Sequence, residues 1–369
     1  MNEARIAGLD VGDKYSNFCL LREDGSIDEE GRFKTTKEGV EGWARGKDGL
    51  RVVLEVGTHS RWISNQLKGL GLTPLVANAR HLSLIYGRDN KTDRSDAEML
   101  ARLGRADESL LHVVHHRENQ AQQHLAVVRA RNCMVEARTK LVNHIRGVTK
   151  SWGVRLPRTS TRTLTRVGVL EKIPEEVWRA LLPLLASVTA MTKTIDDYDE
   201  EIARLSAEEY PETEALQRIC GVGPLTSLAF VLTIEDPSRF SNARSVGSFL
   251  GLVRKLDQSG ERDKELGITK AGDPYLRKLL VQSSHHILGP MGKDSDLRRW
   301  GLRLAERGGR RAKARAVVAV ARKLAVLMLT LWRSGKEYVP LQHPEPAAAV
   351  ETRALDASAM GGLEPGQQG

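Results

Sequence analysis

One stretch constrains this chain more than any other. Val177, Leu181, Leu184, Val188, Met191, Ile195, Tyr198, Ile202 and Leu205 are spaced 4,3,4,3,4,3,4,3. An α-helix turns once every 3.6 residues, so this repeat holds one apolar stripe along one face. A strand would divide the same residues between two faces. The spacing therefore predicts a long helix with a partner helix along its length. That partner is either the helix expected over residues 118–151 (from Leu125, Val128, Val135, Val142, Ile145 and Val148) or the same stripe on a second copy. An intramolecular hairpin and an intersubunit coiled coil bury the same residues, so the repeat leaves both open.

The chain before this helical region reads differently. Residues 5–22 read as two strands around a Gly12-Asp13 turn, and residues 26–34 as a third. The β-branched run 50–56 (LRVVLEV) and residues 73–77 (TPLVA) read as buried strands, with a helix over 61–69 between them. A further helix starts at Asp93 and is expected to close at Gly104. Strands alternating with helices indicate an α/β sheet. The expected domains are 1–115 (α/β), 116–210 (helical, coiled-coil type), 211–338 (mainly helical) and a Pro-, Ala- and Gly-rich disordered tail over 339–369.

Composition narrows the class. With 40% hydrophobic and 28% charged residues the chain builds a core, which excludes wholly disordered and membrane-embedded proteins. Its 56 Lys and Arg against 47 Asp and Glu favour a polyanionic partner such as nucleic acid. Aromatics at 5% are too few for a protein that grips single strands by stacking. Trp62, Trp152, Trp178 and Trp332 are read as core anchors. Cys19, Cys133 and Cys220 form no Cys-x-x-Cys pair, and no signal-peptide core is present at the N-terminus, so the expected compartment is the cytoplasm.

Four carboxylates stand out. Asp10 and Glu55 each end an apolar strand two residues before a glycine. Asp93 and Asp96 lie three apart at a helix start and share a face. Four such groups repel one another unless cations lie among them, and an all-oxygen set selects Mg²⁺ or Mn²⁺ over zinc. Taken singly, the same residues serve equally as helix cap and turn formers. The Asp10-Val11-Gly12 run also resembles the first phosphate loop of sugar kinases and actin-like ATPases, but no second such loop follows.

The segments GLDVGDKYS, LEVGTHSRW and VANARHLSLIYGRDNKTDRSDAEMLARL resemble the N-terminal domain of the insertion-sequence-110 family of transposases. The resemblance implies a RuvC-like, RNase H-type fold with an Asp-Glu-Asp-Asp metal site at Asp10, Glu55, Asp93 and Asp96.

Towards the C-terminus, residues 219–227 (ICGVGPLTS) read as a tight turn. Gly221 and Gly223 precede Pro224 at a first helical position, a pattern that fits equally a helix–hairpin–helix suited to DNA backbone contact and an ordinary Gly-Pro helix connection. Lys270 and Asp273 lead into a helix whose Arg277 and Lys278 face outward, and Arg307, Arg310, Arg311, Lys313 and Arg315 form a basic stretch. Gly221, Gly223, Lys270, Arg277, Arg307, Arg310, Arg311 and Lys313 are the expected nucleic-acid contacts. Ser259, in a Ser-Gly pair, reads on chemistry alone as a turn residue. The segment FLGLVRKLDQSGERDKELGITKAGDPYLRKLLVQSS resembles the same family's C-terminal transposase domain, in which the matching serine forms a covalent link to DNA. One departure is Arg254, where that family usually has proline.

The resemblance further implies donor and target DNA, a structured non-coding bridge RNA, and a homo-oligomer (dimer or tetramer). The rival readings are a metal-dependent junction-type endonuclease, a non-catalytic nucleic-acid-binding relic and, more distantly, a metabolite kinase.

Overall fold

Strands β1 (Ile6–Val11) and β4 (Arg51–Glu55) bury most of their residues because both faces of their sheet are covered. The computed structural model describes residues 5–79, 82, 93–157, 160–164, 167–255, 258–259, 262–263, 267–309 and 311–342. The chain divides into two units, Met1–Arg117 and Glu118–Gly369.

The first unit holds a five-stranded mixed sheet. With β2 (Tyr15–Leu21), β3 (Ile27–Lys34) and β5 (Thr73–Ala77), the order is β3-β2-β1-β4-β5. β1 runs antiparallel to β2 and parallel to β4, and β4 runs parallel to β5. Side chains alternate across a strand. Ala7, Leu9, Val52 and Leu54 pack with Val40 and Trp43 of α1 (Lys37–Ala44) and Ile63 and Leu67 of α2 (Ser60–Gly69). Ile6, Cys19, Leu21 and Val53 point the other way, onto Ala97, Leu100 and Ala101 of α3 (Asp93–Ala106). The unit is thus a three-layer α/β/α sandwich.

Two glycines allow α3 to lie against the sheet. A Cβ on Gly8 would stand 2.0 Å from the Ala97 carbonyl oxygen, and one on Gly104 would stand 2.5 Å from Val53 Cγ2 and 2.8 Å from Ile6 Cδ1. Gly104 was expected to end the helix. It lies inside the last turn instead, where its missing side chain is needed for packing. These contacts also give direction: Gly104 lies over Ile6 and Ala97 over Gly8, so α3 runs antiparallel to β1.

The second unit is helical. Its spine is a pair of long helices, α4 (Asn119–Ser151) and α6 (Glu175–Glu208), joined through the short α5 (Val167–Leu170). Cross-links run His124 to Tyr210, Arg131 to Asp199 and Arg138 to Thr192, so one number falls as the other rises. The two helices are an antiparallel hairpin, and the preceding helix is the partner that the stripe requires. Leu181, Val188, Ile195 and Ile202 are buried, while Leu184, Met191 and Tyr198 are half-buried at the edge of the seam. Near its open end the hairpin joins a core built round α8 (Pro224–Ile234), buried at every position from Thr226 to Ile234. A helix apolar on all sides belongs in the interior. Around it pack α7 (Glu212–Gln217), α9 (Ser245–Phe249), α10 (Pro274–Leu288), α11 (Asp296–Glu306) and α12 (Ala312–Ser334).

Among the tryptophans, Trp332 meets Phe230 edge-on in this core. Trp152 does not anchor a core: it is 52% exposed, because it follows the last turn of α4 where the chain leaves through Gly153 at φ +79°. All three cysteines are free. Among the described residues no helix is long and apolar enough to cross a membrane. The tail beyond residue 342 lies outside the described residues.

Candidate functional site

Asp10 and Glu55 share a face and an end of the sheet. Leu9 pairs with Leu54 across the parallel strands, so the next pair is Asp10 and Glu55, about 4.8 Å apart in backbone spacing. Asp10 is two residues beyond Gly8 and Glu55 two beyond Val53, so alternation turns both towards α3. Helix α3 brings the remaining two. From Ala97 back to Asp93 the helix rises about 6 Å, and from Gly8 on to Asp10 the strand rises about 6.6 Å. The antiparallel α3 therefore opens, with Asp93 and Asp96, level with the ends of β1 and β4. Asp10, Glu55 and Asp96 are partly buried and Asp93 is exposed. Among the described residues no three His, Cys, Asp or Glu side chains are gathered closely enough to hold a metal ion. The fold supplies a common face and strand end for Asp10 and Glu55, and the all-oxygen donor set suits a hard divalent cation.

Neighbouring contacts hold these backbones. Arg94, between the two aspartates of α3, ion-pairs with Glu30 on β3 and ties the start of the helix to the sheet. After Asp10, the Thr35 hydroxyl donates to the Gly12 carbonyl at 2.9 Å and also lies 2.9 Å from the Ser16 hydroxyl. Beyond Glu55, Trp62 Nε1 donates to His59 Nδ1 at 3.0 Å, which leaves His59 Nε2 to donate to Asp13 Oδ1 at 3.1 Å. Sequence reasoning passed over Glu30, Thr35 and His59. Only for His59 was there a signal, its place four residues after Glu55.

In the second unit, Ser259 lies on a β-hairpin between α9 and α10. β6 (Gln258–Ser259) pairs with β7 (Arg262–Asp263), and Ser259 faces Arg262 in the pair next to residues 260 and 261. The Ser259 side chain, Gly260 and Arg310 lie outside the described residues, as do Lys91 and Thr92 of the motif before α3. Nearer the base of the hairpin Arg254 bridges Ile268. The flanking bonds run from Lys255 N to Gly267 O and from Thr269 N to Val253 O, both at 2.9 Å. The Arg254 N–H takes no part in these two bonds.

The expected nucleic-acid contacts have different surroundings. Gly221 adopts φ +83° between α7 and α8, and Gly223 precedes Pro224 at the surface end of α8. Lys270, Arg307, Arg311, Lys313 and Arg315 are exposed and have no ion-pair partner among the described residues. The link from α11 to α12 passes through Gly308 and Gly309, at φ +77° and +93°. Arg277 is half-buried, not outward-facing, and its Nη1 donates to the carbonyls of Leu250 (2.9 Å) and Ala271 (2.7 Å).

Comparison with known proteins agrees with this layout. Residues 7–152 match a DEDD transposase domain of the IS110 type, described as "Transposase". Residues 213–296 match "Transposase IS116/IS110/IS902 family". The chain is 27% identical to a transposase for insertion sequence element IS1111A from Coxiella burnetii, over 92% of each chain. It is also 27% identical to a probable family 20 transposase from Pseudomonas aeruginosa, over 78% of this chain and 86% of that one. A putative transposase, y4pF/y4sB, from Sinorhizobium fredii is 29% identical over 70% of this chain and 67% of its own. The DEDD domain brings with it a need for a divalent metal. With an α/β carboxylate-bearing unit followed by a helical one, and both matching domains in order, the chain belongs to the IS110/IS116/IS902 family: it is an insertion-sequence transposase, an enzyme that recombines DNA.

Proposed function

We propose that this transposase cuts and rejoins DNA through a phosphoserine link made by Ser259. Asp10, Glu55, Asp93 and Asp96 hold the divalent cations, Mg²⁺ or Mn²⁺. What supports the metal half is that β1 and β4 end at Asp10 and Glu55 on the face covered by α3, whose first turn carries Asp93 and Asp96. Ser259 enters through the family resemblance and its place on a hairpin. When bound, the cations stabilise charge on the scissile phosphate. The Ser259 hydroxyl attacks phosphorus, an Oγ–P bond forms, and the bond from phosphorus to one bridging sugar oxygen breaks. The serine proton ends on the released sugar oxygen. Reversal with a different sugar hydroxyl rejoins the strand and restores the serine. One phosphodiester is kept throughout, so no nucleotide hydrolysis is required.

In this reading residues 1–115 are a RuvC-like domain, 116–210 a helical insert and 211–338 the serine-bearing domain. A dimer or tetramer brings the two chemistries to one DNA. A structured bridge RNA selects donor and target. Gly221 and Gly223, with Lys270, Arg307, Arg310, Arg311 and Lys313, meet nucleic-acid phosphates. Ser259→Ala should abolish the covalent protein–DNA adduct in trapping reactions while leaving DNA binding intact. An undiminished adduct would remove Ser259 from this role, and free DNA ends without any adduct would favour the hydrolytic nuclease.

A further inference from the structure

We propose that Arg277 is a positioning residue for Ser259: it locks the neck of the hairpin that carries the serine and makes no contact with nucleic acid. This rests on Ser259 being the nucleophile. The hairpin leaves the helical core through two crossing points, Gly251 at φ +66° and Gly272 at φ +70°. The two strands touch there through backbone alone. A Cβ on Gly251 would lie 2.1 Å from Ala271 N, and one on Gly272 would lie 2.0 Å from Phe249 O. The bond from Lys270 N to Gly251 O (3.1 Å) closes the neck, with Lys270 itself at φ +55°.

Arg277 bridges both sides. The carbonyls it binds belong to Leu250 and Ala271, the residues just before the two glycines. The arginine is fixed in turn. It lies in the first turn of α10, whose cap Asp273 accepts from Tyr275 N and Leu276 N at 2.8 and 2.9 Å. The other oxygen of Asp273 accepts from Arg129 Nη2 on α4 at 3.1 Å. A continuous set of bonds therefore runs from the long hairpin through α10 and Arg277 to the neck.

Leverage gives this grip its consequence. Seven residues lie between Gly251 and Ser259, so the serine stands at most about 26 Å of chain from the neck. A tilt of about 5° at the neck would then move the serine by up to about 2 Å, and a misplacement of about 1 Å can cost roughly 100-fold in rate.

The test uses full-length Arg277→Met and Arg277→Lys, with amide hydrogen exchange, DNA affinity across salt concentrations, and the rate of adduct formation at saturating DNA. In Arg277→Met the amides of Lys255, Thr269 and Lys270 should exchange at least about tenfold faster while those of α8 and α12 stay as in wild type. Adduct formation should slow by about 30-fold or more. DNA affinity and its salt slope should not change. Arg277→Lys, which keeps the charge but can satisfy the carbonyls only in part, should fall between the two. A neck unaltered in Arg277→Met would overturn the proposal. So would a salt slope reduced by about one, the signature of a lost phosphate contact. If Arg277→Met does not fold, Arg277→Lys decides by the same neck amides. If wild type itself forms no adduct, the Ser259 reading fails, and the exchange data alone decide whether Arg277 clamps the neck.

Discussion

Replacing Gly8 with alanine tests the packing that places the carboxylates. The added Cβ would lie 2.0 Å from Ala97 O and 2.6 Å from Ala101 N, against an ordinary closest contact of 3.4 Å. Both obstacles are backbone of α3, so no side chain can swing aside. The helix must retreat by about 1.4 Å, which for a well-packed interior costs about 2–3 kcal/mol. For a unit of this size each kcal/mol lowers the midpoint by roughly 4 °C, so unit 1 should melt about 10 °C lower. The retreat carries Asp93 and Asp96 away from Asp10 and Glu55, and metal-dependent DNA joining should drop by about 100-fold. Gly42→Ala in α1 is the control. Its Cβ meets nothing within 4 Å, and it should stabilise by up to about 1 kcal/mol without affecting activity. Differential scanning calorimetry and a strand-joining assay measure both quantities. Wild-type stability and wild-type joining in Gly8→Ala would refute the close approach of α3 to β1 and the placement derived from it.

Two further outcomes are expected. Burial first, and then the charges of Arg61 and Lys68, hold the His116 imidazole below its ordinary 6.5. The unfolded chain therefore takes up a proton that the folded chain resists. Stability present above about pH 6.5 is lost as pH falls through the lower folded value. Thermal midpoints between pH 7 and 5 should show this loss, and His116→Gln should reduce it; an unchanged pH profile would exclude His116 as its source. Neutralising Arg307, Arg311 and Arg315 together should weaken DNA binding and flatten its dependence on log salt by about two to three. A slope equal to wild type would remove the α11–α12 link from the nucleic-acid surface.

Much of the fold could be read from residue pattern, for reasons visible in particular residues. Val52 and Val53 favour a strand because β-branched side chains lose rotamer freedom in a helix and fit a pleated sheet. The heptad stripe required a long partnered helix, but spacing carries no information on which chain supplies the partner. Gly104 was misread because a helix-ending glycine and a glycine that admits a neighbouring strand look identical without the neighbour. Trp152 was misread because apolar character alone does not place a residue that falls just past a helix end. For the candidate site, the strand ends at Asp10 and Glu55 were legible as acids closing apolar runs before glycine. The direction of α3, which brings Asp93 and Asp96 to the same end, came only with the Gly8 and Gly104 contacts. Arg277 reads as solvent-facing beside Lys278. Its half-buried role depends on carbonyls 27 and 6 residues away, and no local pattern encodes the first of these.

The most direct measurement is Mn²⁺ uptake by the full-length protein, followed by the electron paramagnetic resonance signal of the free ion, in wild type and in Asp10→Asn and Glu55→Gln. Loss of even an outer partner of a bound metal costs about 10- to 100-fold in affinity, so each variant should bind at least about tenfold more weakly while keeping its fold. Uptake in both variants equal to wild type would contradict a cation site at the ends of β1 and β4.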